Sequence, residues 1–134
     1  MKTLIAEDDL TSRTLLQELL LEYGPSDAVS NGRKAVDSVE VSLRQQQPYD
    51  LICIDIIMPE MDGQQALEAI RALEAAEGTP AGHGAKIVMT TGSRDKADII
   101  KAFQGQCDAY LLKPVGKASL MECLQKLELL SLPP

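Results

Sequence analysis

The sequence predicts an α/β protein built on one doubly wound sheet of five parallel strands. Two observations carry this expectation. Short apolar runs rich in Ile, Val and Leu alternate five times with longer stretches of helical period, the pattern of repeated β-α units. Charge also falls at the carboxyl end of three of these runs: Glu7-Asp8-Asp9 after Thr3-Leu-Ile-Ala, Asp55 after Leu51-Ile-Cys-Ile, and Lys113 after Ala109-Tyr-Leu-Leu. In an open parallel sheet with right-handed crossovers all strand carboxyl ends share one edge, where ligands bind.

The first strand is expected at Lys2–Ala6. Leu15, Leu16, Leu19 and Leu20 mark the helix after it by their i, i+1, i+4, i+5 spacing. Gly24-Pro25 is expected to close that helix, because glycine takes the left-handed conformation past a helix end and proline cannot continue it. A second strand at Asp27–Ser30 precedes a helix marked by Val36, Val39 and Leu43. The third strand, Leu51–Asp55, is apolar enough to be central and covered on both faces. Ala66, Leu67, Ile70 and Leu73 mark the third helix.

Residues 78–85 form a Gly-rich stretch that reads as a surface loop, close to the usual length limit for loops in compact domains. His83 stands there alone and reads as a solvated loop histidine. The fourth strand is expected at Lys86–Thr91, with a helix marked by Ile99, Ile100 and Phe103. The fifth, Ala109–Leu112, leads to a last helix marked by Leu120, Leu124 and Leu127. Residues 131–134 read as a tail, and 134 residues is a single-domain length, so one domain spanning 1–134 without an output module is expected.

Composition narrows the function classes. No apolar run approaches the roughly 20 residues that span a bilayer, and the residues before Glu7 are too few for a signal peptide, so no membrane partner and a cytoplasmic location are expected. Cys53, Cys107 and Cys123 are an odd number at wide spacing with no Cys-x-x-Cys pair, which reads as buried reduced thiols. A net charge of -7 without a Lys/Arg cluster argues against nucleic acid as a direct partner. The acidic balance is compatible with a site that collects a divalent cation.

Asp55 taken alone could be a turn or helix cap. With Glu7 and Asp8 approaching the same sheet edge, the cluster instead reads as a cation site, since packed carboxylates repel and raise one another's pKa. Oxygen ligands without His or Cys point to Mg²⁺, with Mn²⁺ possible, rather than zinc. Lys113 adds a fixed positive charge and Thr91 a hydroxyl at the end of the fourth strand; singly, each could be a solvated lysine and a β-favouring threonine. Together these are the parts that hold a phosphoryl group in line and neutralise its oxygens.

Glu7-Asp8-Asp9, Asp55-Ile-Ile-Met-Pro-Glu-Met-Asp-Gly63, Thr91-Gly92 and Tyr110-Leu-Leu-Lys-Pro114 together resemble the receiver domain of bacterial two-component response regulators, in the single-domain chemotaxis-type arrangement. The resemblance runs in order and at family-like spacings over nearly the whole chain. It implies a flavodoxin-like (βα)5 fold with strand order 2-1-3-4-5. It also implies that Asp55 accepts a phosphoryl group from the histidine of a sensor kinase or a histidine phosphotransfer protein. Asp8, Asp55 and the backbone carbonyl of Ile57 would bind Mg²⁺ directly and Glu7 through water, with Asp9 an extra acid or a helix cap.

By the same resemblance Lys113 would contact the phosphoryl oxygen, aimed inward by a cis peptide before Pro114. Thr91 would turn toward the phosphoryl group, and Tyr110 would move from exposed to buried; the alternative for Tyr110 is an ordinary half-buried strand aromatic. The fourth helix, fifth strand and fifth helix would then present a changed face to a downstream protein target. The activity implied is that of a signalling phosphoacceptor, with at most self-phosphorylation from small donors and autodephosphorylation.

Ile57 departs from many members of that family, which carry a polar side chain two residues after the acceptor. An apolar group there is expected to shield the acyl phosphate from water, and Ser93 borders the same water path. Ile57 also bears on a rival, the haloacid-dehalogenase type of aspartate phosphohydrolase, which needs a second Asp at that position as general acid. A flavodoxin-type electron carrier would need a Ser/Thr/Gly-rich phosphate loop after the first strand, where acids stand instead. A phosphorylation-independent scaffold on the same fold is the third alternative.

Overall fold

The computed structural model describes residues 1–92 and 95–130; Ser93 and the expected tail at 131–134 lie outside the described residues. Among the described residues five strands alternate with five α-helices: β1 (Thr3–Ala6), α1 (Leu10–Leu20), β2 (Ser26–Val29), α2 (Gly32–Arg44), β3 (Leu51–Asp55), α3 (Gly63–Ala76), β4 (Lys86–Thr91), α4 (Lys96–Gln104), β5 (Ala109–Leu112) and α5 (Lys117–Lys126). The strands form one parallel sheet in the order β2-β1-β3-β4-β5, as expected for a flavodoxin-like (βα)5 fold. β3, β4 and β5 keep their expected limits, whereas β1 starts one residue later and β2 lies one residue earlier than expected.

The helices divide between the two faces. On one, Leu4, Ala6, Ile52, Ile54, Ile87 and Met89 of the strands pack with Ala35, Val39, Leu67, Ile70 and Ala102 of α2, α3 and α4. On the other, Ile5, Leu51, Cys53 and Val88 pack with Leu16, Leu20, Leu120, Cys123 and Leu124 of α1 and α5. β3 is buried along its whole length, which explains its lack of polar alternation.

Two helix readings are corrected by the structure. α1 ends at Leu20, and the chain tightens into a 3-10 turn over Leu21–Tyr23 before Gly24. Gly24 does take a positive φ, 114°, but with ψ 164°, so it extends the chain into β2 rather than forming a left-handed helix cap. In α4, Ala102 faces the core, whereas Ile100 and Phe103 are 56% and 49% exposed. That helix therefore turns two of its three marker residues outward.

All three cysteines are free and buried, as their spacing suggested. Burial pushes the Cys53 thiol up to about 12 and the Cys107 thiol up to about 11, so both stay protonated and unreactive near neutrality. His83 is exposed in the segment after α3, where Pro80 O and the His83 N–H close a turn. No helix among the described residues is long and apolar enough to cross a membrane.

Candidate functional site

Glu7 continues β1 by one residue, its N–H donating to Val29 O at 3.0 Å. Asp55 ends β3, and Lys113 continues β5, its N–H donating to Thr91 O at 2.8 Å. These three side chains leave the sheet on the α1/α5 side, as the alternation with Ile5, Cys53 and Leu111 requires. The Lys113 ammonium donates to Glu7 Oε1 at 2.5 Å and to Asp55 Oδ2 at 3.0 Å. Carboxylate oxygens of Glu7, Asp8 and Asp55 lie within 4.8 Å of one another, with Glu7 and Asp55 buried and Asp8 exposed. The sheet edge thus brings together the three acids and the lysine that the sequence singled out.

The supporting elements are set by local chemistry. Asp9 is a helix cap and not a fourth member of the cluster: its carboxylate accepts from the Ser12 hydroxyl and N–H, at 2.7 and 2.9 Å, and opens α1. Those two bonds hold its carboxyl below the usual range. Arg13, one turn on, donates to Glu7 O at 3.0 Å and ties α1 to the acid loop, a role its sequence position did not reveal. After Asp55, Ile57 N–H donates to Asp55 Oδ1 at 3.3 Å and Ile56 N–H to Thr90 O at 3.2 Å. Asp62 and Gln65 form a reciprocal capping box at the start of α3. Gly63 is needed there for space, because a Cβ would sit 2.2 Å from Asp55 O.

Thr91 is buried one rung beyond Asp55, and the alternation with Ile87 and Met89 directs it to the opposite face of the sheet. It meets Tyr110 there: a hydrogen bond with Thr91 acts on the Tyr110 hydroxyl, whose pKa burial raises, with the Asp98 charge adding to the rise. Tyr110 is half-buried against the α2/α3/α4 core. The Lys113-Pro114 peptide is cis.

Glu7 is the most constrained member of the cluster. Burial pushes its carboxyl up to about 7, with Lys113 opposing and Asp55 adding to the rise. Burial also works against the charge on Lys113, but its bonds to Glu7 and Asp55 outweigh this and raise its pKa. Glu7 Oε2 is buried and without a hydrogen-bond partner among the described residues. A buried, orphaned carboxylate oxygen beside two further carboxylates, with no His or Cys, is the donor set of a hard divalent cation. The residues present fit Mg²⁺.

The model of the response regulator receiver domain matches residues 3–125, nearly the whole chain. The chain belongs to the response regulator receiver family. This receiver is 31% identical to the chemotaxis protein CheY of Halobacterium salinarum over 124 residues, 92% of each chain. It is 34% identical over 126 residues to the sensor protein GacS of Pseudomonas syringae pv. syringae, covering 93% of this chain and 13% of that one. Against hybrid signal transduction histidine kinase I of Dictyostelium discoideum the identity is also 34%, over 7% of that protein. The receiver thus spans a small part of several curated relatives.

Among solved structures, the receiver domain of the sensor histidine kinase PA1611 from Pseudomonas aeruginosa PAO1 superposes with a TM-score of 0.75 at 30% identity, covering 94% of this chain and 95% of that one. It holds a magnesium ion in its active-site cleft. The receiver domain of the histidine kinase CKI1 from Arabidopsis thaliana, complexed with Mg²⁺, gives 0.82 at 25% identity over 94% and 90% of the two chains. Phosphoryl transfer to an aspartate is the function of this family.

Proposed function

We propose that this receiver accepts a phosphoryl group on Asp55 from the phosphohistidine of a sensor kinase or a histidine phosphotransfer protein. The observation that carries the reading is the Lys113 ammonium bonded to both Asp55 and Glu7 in one cluster with Asp8. Asp55 Oδ1 is the nucleophile end: it lies away from the lysine-bound Oδ2 and is oriented by the Ile57 N–H. Asp8, Asp55 and the Ile57 carbonyl would hold Mg²⁺, with Glu7 reaching it through water. When bound, the ion would neutralise charge on the transferring oxygens.

Lys113 contributes an ammonium that can pass from its carboxylate partners to a phosphoryl oxygen on Asp55. Thr91 and Tyr110 then form the switch, the Thr91 hydroxyl turning to the phosphoryl group and Tyr110 filling the space it leaves. The face made by α4, β5 and α5, including the exposed Ile100 and Phe103, would present the result to a downstream protein. On the entry side, Leu10 and Ile57 each stand two residues beyond an acid of the cluster and are 65% and 71% exposed. They offer apolar contacts around the acceptor for the donor helix that carries the histidine.

The chain is a signalling phosphoacceptor, and small donors such as acetyl phosphate would load it without a kinase. Three reduced, buried thiols support a cytoplasmic location. Intact mass after acetyl phosphate and Mg²⁺ tests the reading. Wild type is expected to gain one phosphoryl group and Asp55→Asn none; equal gains in both would exclude Asp55 as the acceptor.

A further inference from the structure

Thr90, the residue before Thr91, is 1% exposed, and its hydroxyl finds no hydrogen-bond partner among the described residues. Leaving a buried hydroxyl unpaired is costly, so such a group calls for an explanation. Its place in the sheet supplies one. Thr90 stands opposite Asp55 in the β3–β4 register, and paired residues of parallel strands project to the same face. Val88, two residues earlier on β4, packs with Cys53 on the α1/α5 side, which fixes that face as the one carrying Glu7, Asp55 and Lys113. Among the described residues the other buried side-chain atom without a partner is Glu7 Oε2, in the same row.

Lys113 starts at the end of β5, and its ammonium bonds to Asp55 on β3 and to Glu7 at the end of β1. β4 lies between β5 and β3, so the lysine side chain crosses the strand end that carries Thr90. An ammonium has three donors, and the two carboxylates occupy two of them.

We propose that Thr90 is a positioning residue for Lys113, a buried hydroxyl that accepts from the ammonium when Glu7 and Asp55 turn to a bound Mg²⁺. This inference rests on the reading of Asp55 as the acceptor. A bound Mg²⁺ draws the negative charge of Asp55 and, through water, of Glu7 away from the lysine, and a half-buried ammonium held less tightly by them turns a donor to another oxygen. Thr90 supplies one on the intervening strand, which keeps the ammonium over the sheet edge where the phosphoryl group arrives. Threonine suits the task because its branched Cβ is stiff about χ1 and packs well in a strand.

Two substitutions test this. Thr90→Val keeps the shape and removes the hydroxyl; Thr90→Ser keeps the hydroxyl. Without Mg²⁺, Thr90→Val is expected to melt at or above the wild-type temperature, since the hydroxyl it loses is unpaired. At saturating Mg²⁺ its phosphorylation by acetyl phosphate is expected to slow by about tenfold, the size of one hydrogen bond to a charged group. Mg²⁺ affinity, read from melting-temperature titration, is expected to be unchanged, and Thr90→Ser to recover most of the rate. A wild-type rate in Thr90→Val overturns the proposal. So does slowing in both variants with a lowered metal-free melting temperature, which marks a packing residue. Asp55→Asn in the same assay reads the acceptor assignment separately: uptake of phosphate by that variant removes the assignment whatever Thr90 does.

Discussion

Glu7 shows how burial sets the chemistry of a single residue. Burial first, and Asp55 beside it, raise its carboxyl to about 7 in the metal-free chain, against 4.5 for an ordinary glutamate. The folded chain therefore holds this proton more tightly than the unfolded chain does. Its favourable contribution to folding is complete below about pH 4.5 and is lost as pH rises through about 7. In a chelator, the melting temperature of wild type minus that of Glu7→Gln should fall between about pH 5 and pH 7.5; a difference independent of pH would contradict the burial argument. Ile57 carries the second prediction at this scale. It is 71% exposed, two residues beyond Asp55, the proposed acceptor, and its apolar side chain is expected to slow attack of water on an acyl phosphate there. Ile57→Asn should shorten the phosphoryl lifetime several-fold, measured by loss of the phosphorylated mass after donor removal, and an equal or longer lifetime would refute the shielding role.

Among the elements, the segment after α3 is held by one half-buried side chain. Arg71 donates through Nε to Gln106 O, through one terminal nitrogen to Glu74 Oε1 and Ala85 O, and through the other to Asp108 Oδ2, all at 2.7 to 3.0 Å. Glu74 Oε2 and Asp108 Oδ2 in turn accept from the Ala85 and Ile87 N–H groups. α3, the start of β4 and the approach to β5 are thereby joined at the end of the sheet away from the acids. Arg71→Met would leave the largely buried Glu74 unpaired and is expected to cost about 3 kcal/mol in urea unfolding, with Arg71→Met/Glu74→Met costing less than the single change. The sequence did not show this clamp, because its partners are mostly backbone carbonyls and amides that carry no residue signature. The acids and Lys113 were legible because each is a charge after an apolar run, and β3, β4 and β5 because their runs are continuous. β2 was harder to place: Ser26 and Asp27 are polar, and edge position alone makes them strand. In α4 the period marked a helix correctly but not which residues face inward, since Ala102 fills the place where α4 meets the sheet. Thr90 escaped notice for a related reason, because only the β3–β4 register shows that it, and not Thr91, is level with Asp55.

Across the whole molecule, the crossover topology gathers residues separated by 106 positions in the chain, Glu7 and Lys113, into one ion pair. It places that pair on the α1/α5 face and Thr91 with Tyr110 on the other, so a change at the acids can reach both helix layers. On the proposed reading a cation binds the acid cluster only in the folded chain, so Mg²⁺ should raise the melting temperature. At a concentration 100 times the dissociation constant the gain is about 2.7 kcal/mol, and Asp8→Ala should abolish it. Retention of the full rise in Asp8→Ala would move the metal elsewhere. The central claim, that this cluster exists to place a phosphoryl group on one particular carboxylate, is tested most directly by trapping the product. Receiver loaded with acetyl phosphate and Mg²⁺ is reduced with borohydride, which converts an acyl phosphate to the alcohol, and the modified residue is located by tandem mass spectrometry. The reduced side chain is expected at position 55; a label at Asp8 or Asp9 with Asp55 intact would contradict the account.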